Sequence, residues 1–229
     1  MRSISNGVYS WTLENGQNYS FWGQAHIGTF QNFSLSVDVR HASGTIYDTY
    51  GLIFCVVGGN YYAFSIQDSG DYTVWVRSAN HWNPIIPLTR SNAIKPGEVN
   101  HLAVIAEAGV FKLFINDVFV KEFHDNTLPN GDVGIMASPH DQVNPRDSKP
   151  QSVSKSLARP AFTAEYDNFV LRAPEGFSTT QNRPAQLPPI EPEAGRLVFA
   201  SNRAGNSDIY MINSKGSGPK QLTIDPASD

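Results

Sequence analysis

Apolar and polar residues alternate with a period of two along most of this chain. Runs at helical period are nearly absent, so the pattern predicts strands half-buried on sheets. The cleanest is Asn32–Arg40, with Phe33, Leu35, Val37 and Val39 on one face and Ser34, Ser36 and Asp38 on the other. Gly51–Val57 is apolar on both faces and predicts a central strand. Gly58-Gly59-Asn60 turns it into Tyr61–Gln67, and Asp68–Asp71 turns that into Tyr72–Arg77, completing a meander. Near the start, Val8–Leu13 and Tyr19–Trp22 flank Asn15-Gly16 and predict a hairpin, because both turn positions need positive φ. The Pro-rich passage Asn83–Pro87 interrupts the pattern. His101–Glu107, Val110–Ile115 and Val118–Phe123 follow, the last pair joined by a tight turn at Asn116-Asp117. Val133–Ala137 comes after Asn130-Gly131, and Phe162–Leu171 closes the series. Roughly ten to twelve short strands without helices predict an antiparallel β-sandwich.

Composition narrows the class. A hydrophobic content of 40% with 17% charged residues describes a globular chain, and 11% aromatics with 18 Gly and 15 Pro lean towards all-β. A net charge of −4 and the lack of a Lys/Arg cluster argue against nucleic acid or an anionic membrane as the main partner. No stretch approaches the roughly 20 apolar residues of a membrane span. The opening Met1–Gly7 lacks the apolar core of a secretion signal. Cys55, the sole cysteine, lies in the apolar run Leu52–Val57 and reads as a buried inert thiol.

Organisation changes beyond the sandwich. Ser138–Pro160 is polar without strand pattern and reads as a mobile loop. Ala173–Ala194, with Pro174, Pro184, Pro188, Pro189 and Pro192, reads as a semi-rigid linker. After it, Leu197–Ala200 and Ile209–Ile212 predict two short strands hinged around Asn202–Asn206, with Gln221-Leu222-Thr223 behind them. This succession resembles the TolB-type β-propeller repeat. Such blades bury their apolar faces only against neighbours, so the resemblance implies neighbouring blades outside this sequence. The expected division is a sandwich over 1–173, a linker over 174–194 and a truncated propeller repeat over 195–229, poorly anchored or docked on the sandwich.

The sandwich carries a second resemblance. Phe33-Ser-Leu-Ser-Val-Asp-Val, Tyr50-Gly-Leu-Ile-Phe, Asn60-Tyr-Tyr-Ala-Phe-Ser-Ile, Tyr72-Thr-Val-Trp-Val, Leu113-Phe-Ile-Asn-Asp, Gly131-Asp-Val-Gly-Ile and Tyr166-Asp-Asn-Phe-Val succeed one another in order. The succession resembles the concanavalin A-like jelly rolls of the laminin-G and family-sixteen glycoside-hydrolase-like group, which implies a jelly-roll sandwich. That group hosts lectins, adhesive modules and enzymes alike. Its hydrolases carry Glu-x-Asp-x-(x)-Glu on one strand, and retaining chemistry needs two carboxyls about 5–5.5 Å apart. Glu165-Tyr-Asp167-Asn-Phe169-Val170 lacks the third carboxylate and lies on the closing strand, so Glu165 and Asp167 read as surface groups. No zinc spacing occurs among His26, His41, His81, His101, His124 and His140, and no nucleophile elbow is present. Members of the group also hold calcium at loop edges. Asp48, Asp68, Asp71, Asp125 and Asp167 are candidates by residue type alone, and turn residues by default.

Carbohydrate recognition has the stronger case. Sugars offer apolar C–H faces ringed by hydroxyls, so their sites combine exposed aromatics with planar hydrogen-bonding groups. Alternation puts Thr73, Trp75 and Arg77 on one face, with Trp75 as a stacking platform. Asn80, His81, Trp82 and Asn83 follow in what reads as a loop, and Tyr47, Asp48 and Tyr50 are expected at the same rim. The candidate ligand-binding residues are therefore Trp75, Arg77, Trp82, Asn80, Tyr50 and Tyr47. The expected role is a non-catalytic module of a modular, exported (periplasmic, extracellular or cell-surface) bacterial protein that binds glycan or another surface ligand. The alternatives are a hydrolase of the same fold and a structural or protein-interaction domain. Three appearances of the concave face separate them: converging carboxyls, an open aromatic groove, or a closed surface.

Overall fold

A computed structural model describes residues 1–5, 7–14, 20–139, 160–173, 196–201, 208–213 and 220–221. The strands are β1 (Arg2–Ser5), β2 (Val8–Leu13), β3 (Phe21–Gln24), β4 (Phe33–Ser43), β5 (Thr49–Val57), β6 (Asn60–Gln67), β7 (Asp71–Ser78) and β8 (His81–Arg90). They continue as β9 (Asn100–Glu107), β10 (Val110–Ile115), β11 (Val118–His124), β12 (Asp132–Ser138), β13 (Phe162–Ala173), β14 (Arg196–Ser201), β15 (Asp208–Asn213) and β16 (Lys220–Gln221). No helix occurs among the described residues. All pairings are antiparallel, in two sheets that face each other as a jelly-roll-type sandwich.

The first sheet runs β11-β10-β9-β4-β13. The far side of β13 is shared: β2 pairs along Phe162–Tyr166, and β14 along Leu171–Ala173. β1 flanks β2, while β15 and β16 continue beyond β14. The second sheet runs β3-β12-β5-β6-β7-β8. The two tail strands expected after the linker are present, joined to the sandwich edge through three residue pairs of β13. The linker itself and the loop over 140–159 lie outside the described residues.

Alternation along β4 decides which side is the core. Phe33, Leu35, Val37 and Val39 are all buried, and Leu102 and Val104 of β9 lie beside them. Across the gap stand Leu52 and Phe54 of β5, Tyr62, Phe64 and Ile66 of β6, and Val74 and Val76 of β7. Phe54 stacks on Tyr62 at 5.4 Å and Phe111 on Phe123 at 4.8 Å. Each such side chain contributes about 1.5–3 kcal/mol by leaving water, so this layer dominates the fold's stability. The buried tyrosines keep their hydroxyls paired: Tyr62 donates to Asp125 (2.5 Å) and Tyr166 to the Met136 carbonyl (2.7 Å).

Three expectations require correction. β2 and β3 do not form a hairpin, because β2 pairs with β1 and β13 while β3 pairs with β12 in the opposite sheet. Asn15-Gly16 itself lies outside the described residues, and the two strands, in opposite layers, meet through side chains, Trp11 against Phe21 at 6.1 Å. The Pro-rich passage is not a break but the middle of β8. β8 pairs only with β7, and an edge strand tolerates Pro84 and Pro87 because one of its sides needs no ladder hydrogen bonds. Trp82 and Asn83 are consequently strand residues rather than loop residues.

Candidate ligand-binding face

The outward face of the second sheet holds the groove. Its small hydrophobic layer, Ile53, Val56, Tyr61, Ala63 and Met136 with Trp22 packed against it, lies on the side of the sheet away from the main core. Beside this layer is a depression of about 320 Å³ between β6, β7, β8 and β12. Trp75 and Trp82 form apolar walls, Ala63 and Met136 an apolar base, and Ser65, Gln67 and Thr73 supply polar groups. Strand alternation explains the sorting. Residues 61, 63, 65 and 67 of β6 point outwards while Tyr62, Phe64 and Ile66 fill the core, and in β7 Thr73, Trp75 and Arg77 oppose Tyr72, Val74 and Val76.

Each wall is braced differently. Trp82 is 41% exposed and packs edge-on against Tyr61 (centroids 5.6 Å, 83°), which in turn leans on Trp22. Trp75 stands opposite Ala63 on one side and Pro84 on the other, so two small neighbours leave its ring half-exposed. Register shifts around Val74 release the Ile86 carbonyl, and the Thr73 hydroxyl donates to it at 2.8 Å. The Gln67 amide donates to the Tyr47 carbonyl (2.9 Å), and the Ser69 hydroxyl stands within hydrogen-bond reach of both the Gln67 oxygen (3.1 Å) and the Asp71 carboxylate (2.9 Å).

The six candidate residues separate on this frame. Trp75 and Trp82 come together in the groove. Arg77 stands opposite Trp82, and its guanidinium donates to the Gly59 carbonyl and to Asn80 Oδ1 (2.9 Å). Asn80 therefore braces Arg77 from a turn where Ala79 and Asn80 both have positive φ (50° and 64°). Tyr47 touches the groove through its backbone, as the carbonyl that fixes Gln67. Tyr50 is not at the rim: it is fully buried in the core, its hydroxyl donating to Asp68 at 2.7 Å, because it shares the inward face of β5 with Leu52 and Phe54. Sequence reasoning passed over Ser65 and Gln67, although the alternation that selected Thr73 also places Ser65 on the groove face.

The carboxylates lie elsewhere. Glu165 is paired with Arg40 on the first sheet (2.7 Å), and Asp167 accepts from the Asn168 amide (2.7 Å). Asp125 is held by Tyr62. Asp48 and Asp68 flank the His41 ring, at 3.6 Å from Nε2 and 3.3 Å from Nδ1. Burial pulls the His41 pKa down, but hydrogen bonding and charge attraction from the two aspartates outweigh it and hold the ring at about 9. A protonated imidazole between the carboxylates makes this pair a poor calcium cradle, and no group of three metal-ligating side chains is arranged to hold a metal ion among the described residues. Burial alone pushes the Cys55 thiol up to about 12, which matches an inert thiol.

The fold and this face together define a β-sandwich with an open, uncharged aromatic groove on one outer surface. No protein-family model and no curated protein sequence matches the chain. Among solved structures it is similar to a functionally unknown protein from Saccharomyces cerevisiae (15% identity, TM-score 0.51), over 77% of this chain and 93% of that one. It is also similar to the carbohydrate-binding module CBM66 from Bacillus subtilis (15% identity, TM-score 0.48, 73% and 83% covered). A third is a putative glycosyl hydrolase from Parabacteroides distasonis (14% identity, TM-score 0.45, 75% and 89% covered). At these identities the likeness is one of fold.

Proposed function

We propose that the sandwich is a non-catalytic recognition module that binds an uncharged glycan in the groove between Trp75 and Trp82. The observation that carries this reading is the chemistry of the lining. Two indoles stand over small and neutral polar side chains, and among the described residues no carboxylate or cation lines the depression. Indole faces match the C–H faces of sugar rings, and neutral hydroxyl and amide groups match their hydroxyls. Hydrolysis of a glycosidic bond needs a pair of carboxyls at the bond, whereas Glu165 is engaged by Arg40 on the other sheet. The carbohydrate-binding and glycosyl-hydrolase names among the similar structures agree with a sugar ligand. We further read the module as part of an exported, modular protein in which 195–229 opens a propeller.

Affinity electrophoresis of the chain through gels containing neutral polysaccharides tests the reading. We expect retardation that Trp75→Ala and Trp82→Ala each weaken about ten-fold or more, the equivalent of about 1.4 kcal/mol. Retardation untouched by both substitutions would remove the groove from the binding surface. Release of reducing ends from the gel polysaccharide would replace the module with a hydrolase.

A further inference from the structure

The groove floor has a feature that the tryptophans do not explain. Ser65 is only 3% exposed, yet it lines the depression, and its hydroxyl has no hydrogen-bond partner among the described residues. Among the described residues only His41 Nε2 and Thr45 Oγ1 are sealed away without a hydrogen-bond partner, so the Ser65 hydroxyl is open to the depression, with its hydrogen and lone pairs available to whatever occupies it. Its two polar neighbours have defined remaining capacity. Thr73 stands directly opposite Ser65, and its only hydrogen is committed to the Ile86 carbonyl, so towards the groove its oxygen acts purely as an acceptor. Gln67 lies two residues along β6 on the same face. One N–H goes to the Tyr47 carbonyl, and the second is left to donate.

We infer that Ser65, Thr73 and Gln67 form a hydroxyl-reading floor that takes adjacent hydroxyls of one uncharged sugar ring while the C–H face of that ring rests on Trp75. The inference rests on the glycan reading and sharpens it. The ring stands edge-on, with one hydroxyl donating to Thr73, one accepting from Gln67, and Ser65 free to do either. An acidic sugar is disfavoured, because a carboxylate pressed onto this floor would meet the Thr73 acceptor with no cation to balance its charge. Specificity of this kind is strong, since an analogue lacking one hydroxyl leaves a buried protein group unpaired.

Ser65→Ala is the decisive variant, because it deletes an oxygen with no protein partner and so leaves folding intact. The chain and this variant are applied to an array of neutral and uronic-acid-bearing oligosaccharides. Affinity for the best neutral ligand and the thermal midpoint are then measured, with single-deoxy forms of that ligand alongside. We expect Ser65→Ala to bind about ten-fold more weakly with an unchanged or higher midpoint. One deoxy analogue that binds the unaltered chain poorly is expected to bind the variant no worse than the parent sugar does. Ser65→Ala binding within two-fold of the unaltered chain, while Trp75→Ala still loses the ligand, overturns the floor but spares the groove. Preference for the acidic sugars overturns the floor as well. An unaltered chain that binds nothing on the array overturns both readings.

Discussion

Gly51 of β5 sits opposite Ser65, and a Cβ there would run into the Phe64 carbonyl oxygen and crowd the Ser65 backbone. The obstacle is main chain, so it cannot swing away. We expect Gly51→Ala to destabilise the sandwich by about 1–3 kcal/mol, the usual cost of overpacking, read from the urea midpoint. Gly58→Ala makes the contrast: its φ is +55° but nothing lies near its Cβ, so only the backbone cost of about 1–2 kcal/mol applies. Equal losses at the two sites would show that the close approach of the β6 backbone to Gly51 is not limiting. The face was only partly legible in the sequence. Alternation fixes which residues share a side of a strand, and it placed Thr73, Trp75 and Arg77 correctly. The apolar run Gly51–Val57 suggests that Tyr50 lies just before the strand and so at its rim, but β5 begins at Thr49 and alternation within it turns Tyr50 inwards.

Tight turns show how far an element can be read from its residue types. Asn116 and Asp117 both adopt positive φ, 50° and 64°, as the sequence pair implied. Their side chains have unlike duties. Asn116 accepts from the His101 amide (2.8 Å) and donates to the Ala93 carbonyl (2.7 Å) and Asn100 Oδ1 (2.9 Å), tying the β10–β11 turn to two other segments. Asn116→Gly should therefore cost about 2 kcal/mol despite the favourable backbone. Asp117→Gly should be neutral or stabilise by up to about 1 kcal/mol. Chemical denaturation of the two variants separates these outcomes, and similar effects would mean that backbone conformation alone governs the turn. Strand existence was legible for the same local reasons. Strand partnership was not: Asn15-Gly16 has the chemistry of a hairpin, but β13 and β12 in opposite sheets compete for the flanking strands and win. In β8, the prolines forbid a central strand without forbidding an edge one, a distinction only the sheet order supplies.

At the scale of the whole molecule, the two sheets are tied at one end by a buried ion cluster that no spacing in the sequence announced. His41 belongs to β4 in one sheet, while Asp68 follows β6 in the other and Asp48 lies between β4 and β5. The groups facing the ring are these two carboxylates and the rings of Tyr50 and Phe162 (5.9 and 5.5 Å). Asp68 also accepts from the Tyr50 hydroxyl and from the Gly97 amide, so four segments converge on the cluster. Although burial opposes it, the aspartates raise His41 from its ordinary 6.5 to about 9. A pKa raised on folding stabilises fully below the unfolded value and is lost as pH climbs through the folded one. The contribution is therefore complete below about pH 6.5 and gone above about 9, on the order of 3 kcal/mol in all. Asp68 behaves oppositely. Burial would raise its pKa, but His41 and Tyr50 hold it below the ordinary carboxylate value, so its contribution is present at neutral pH and lost only in stronger acid. Thermal stability should then peak between about pH 4 and 6.5 and fall by roughly 10 °C towards pH 10. His41→Gln removes the titrating group, so its midpoint should start lower and stay level from pH 6.5 to 9. If the variant keeps the slope of the unaltered chain, the alkaline loss belongs to other groups and the sheets are joined here by packing alone.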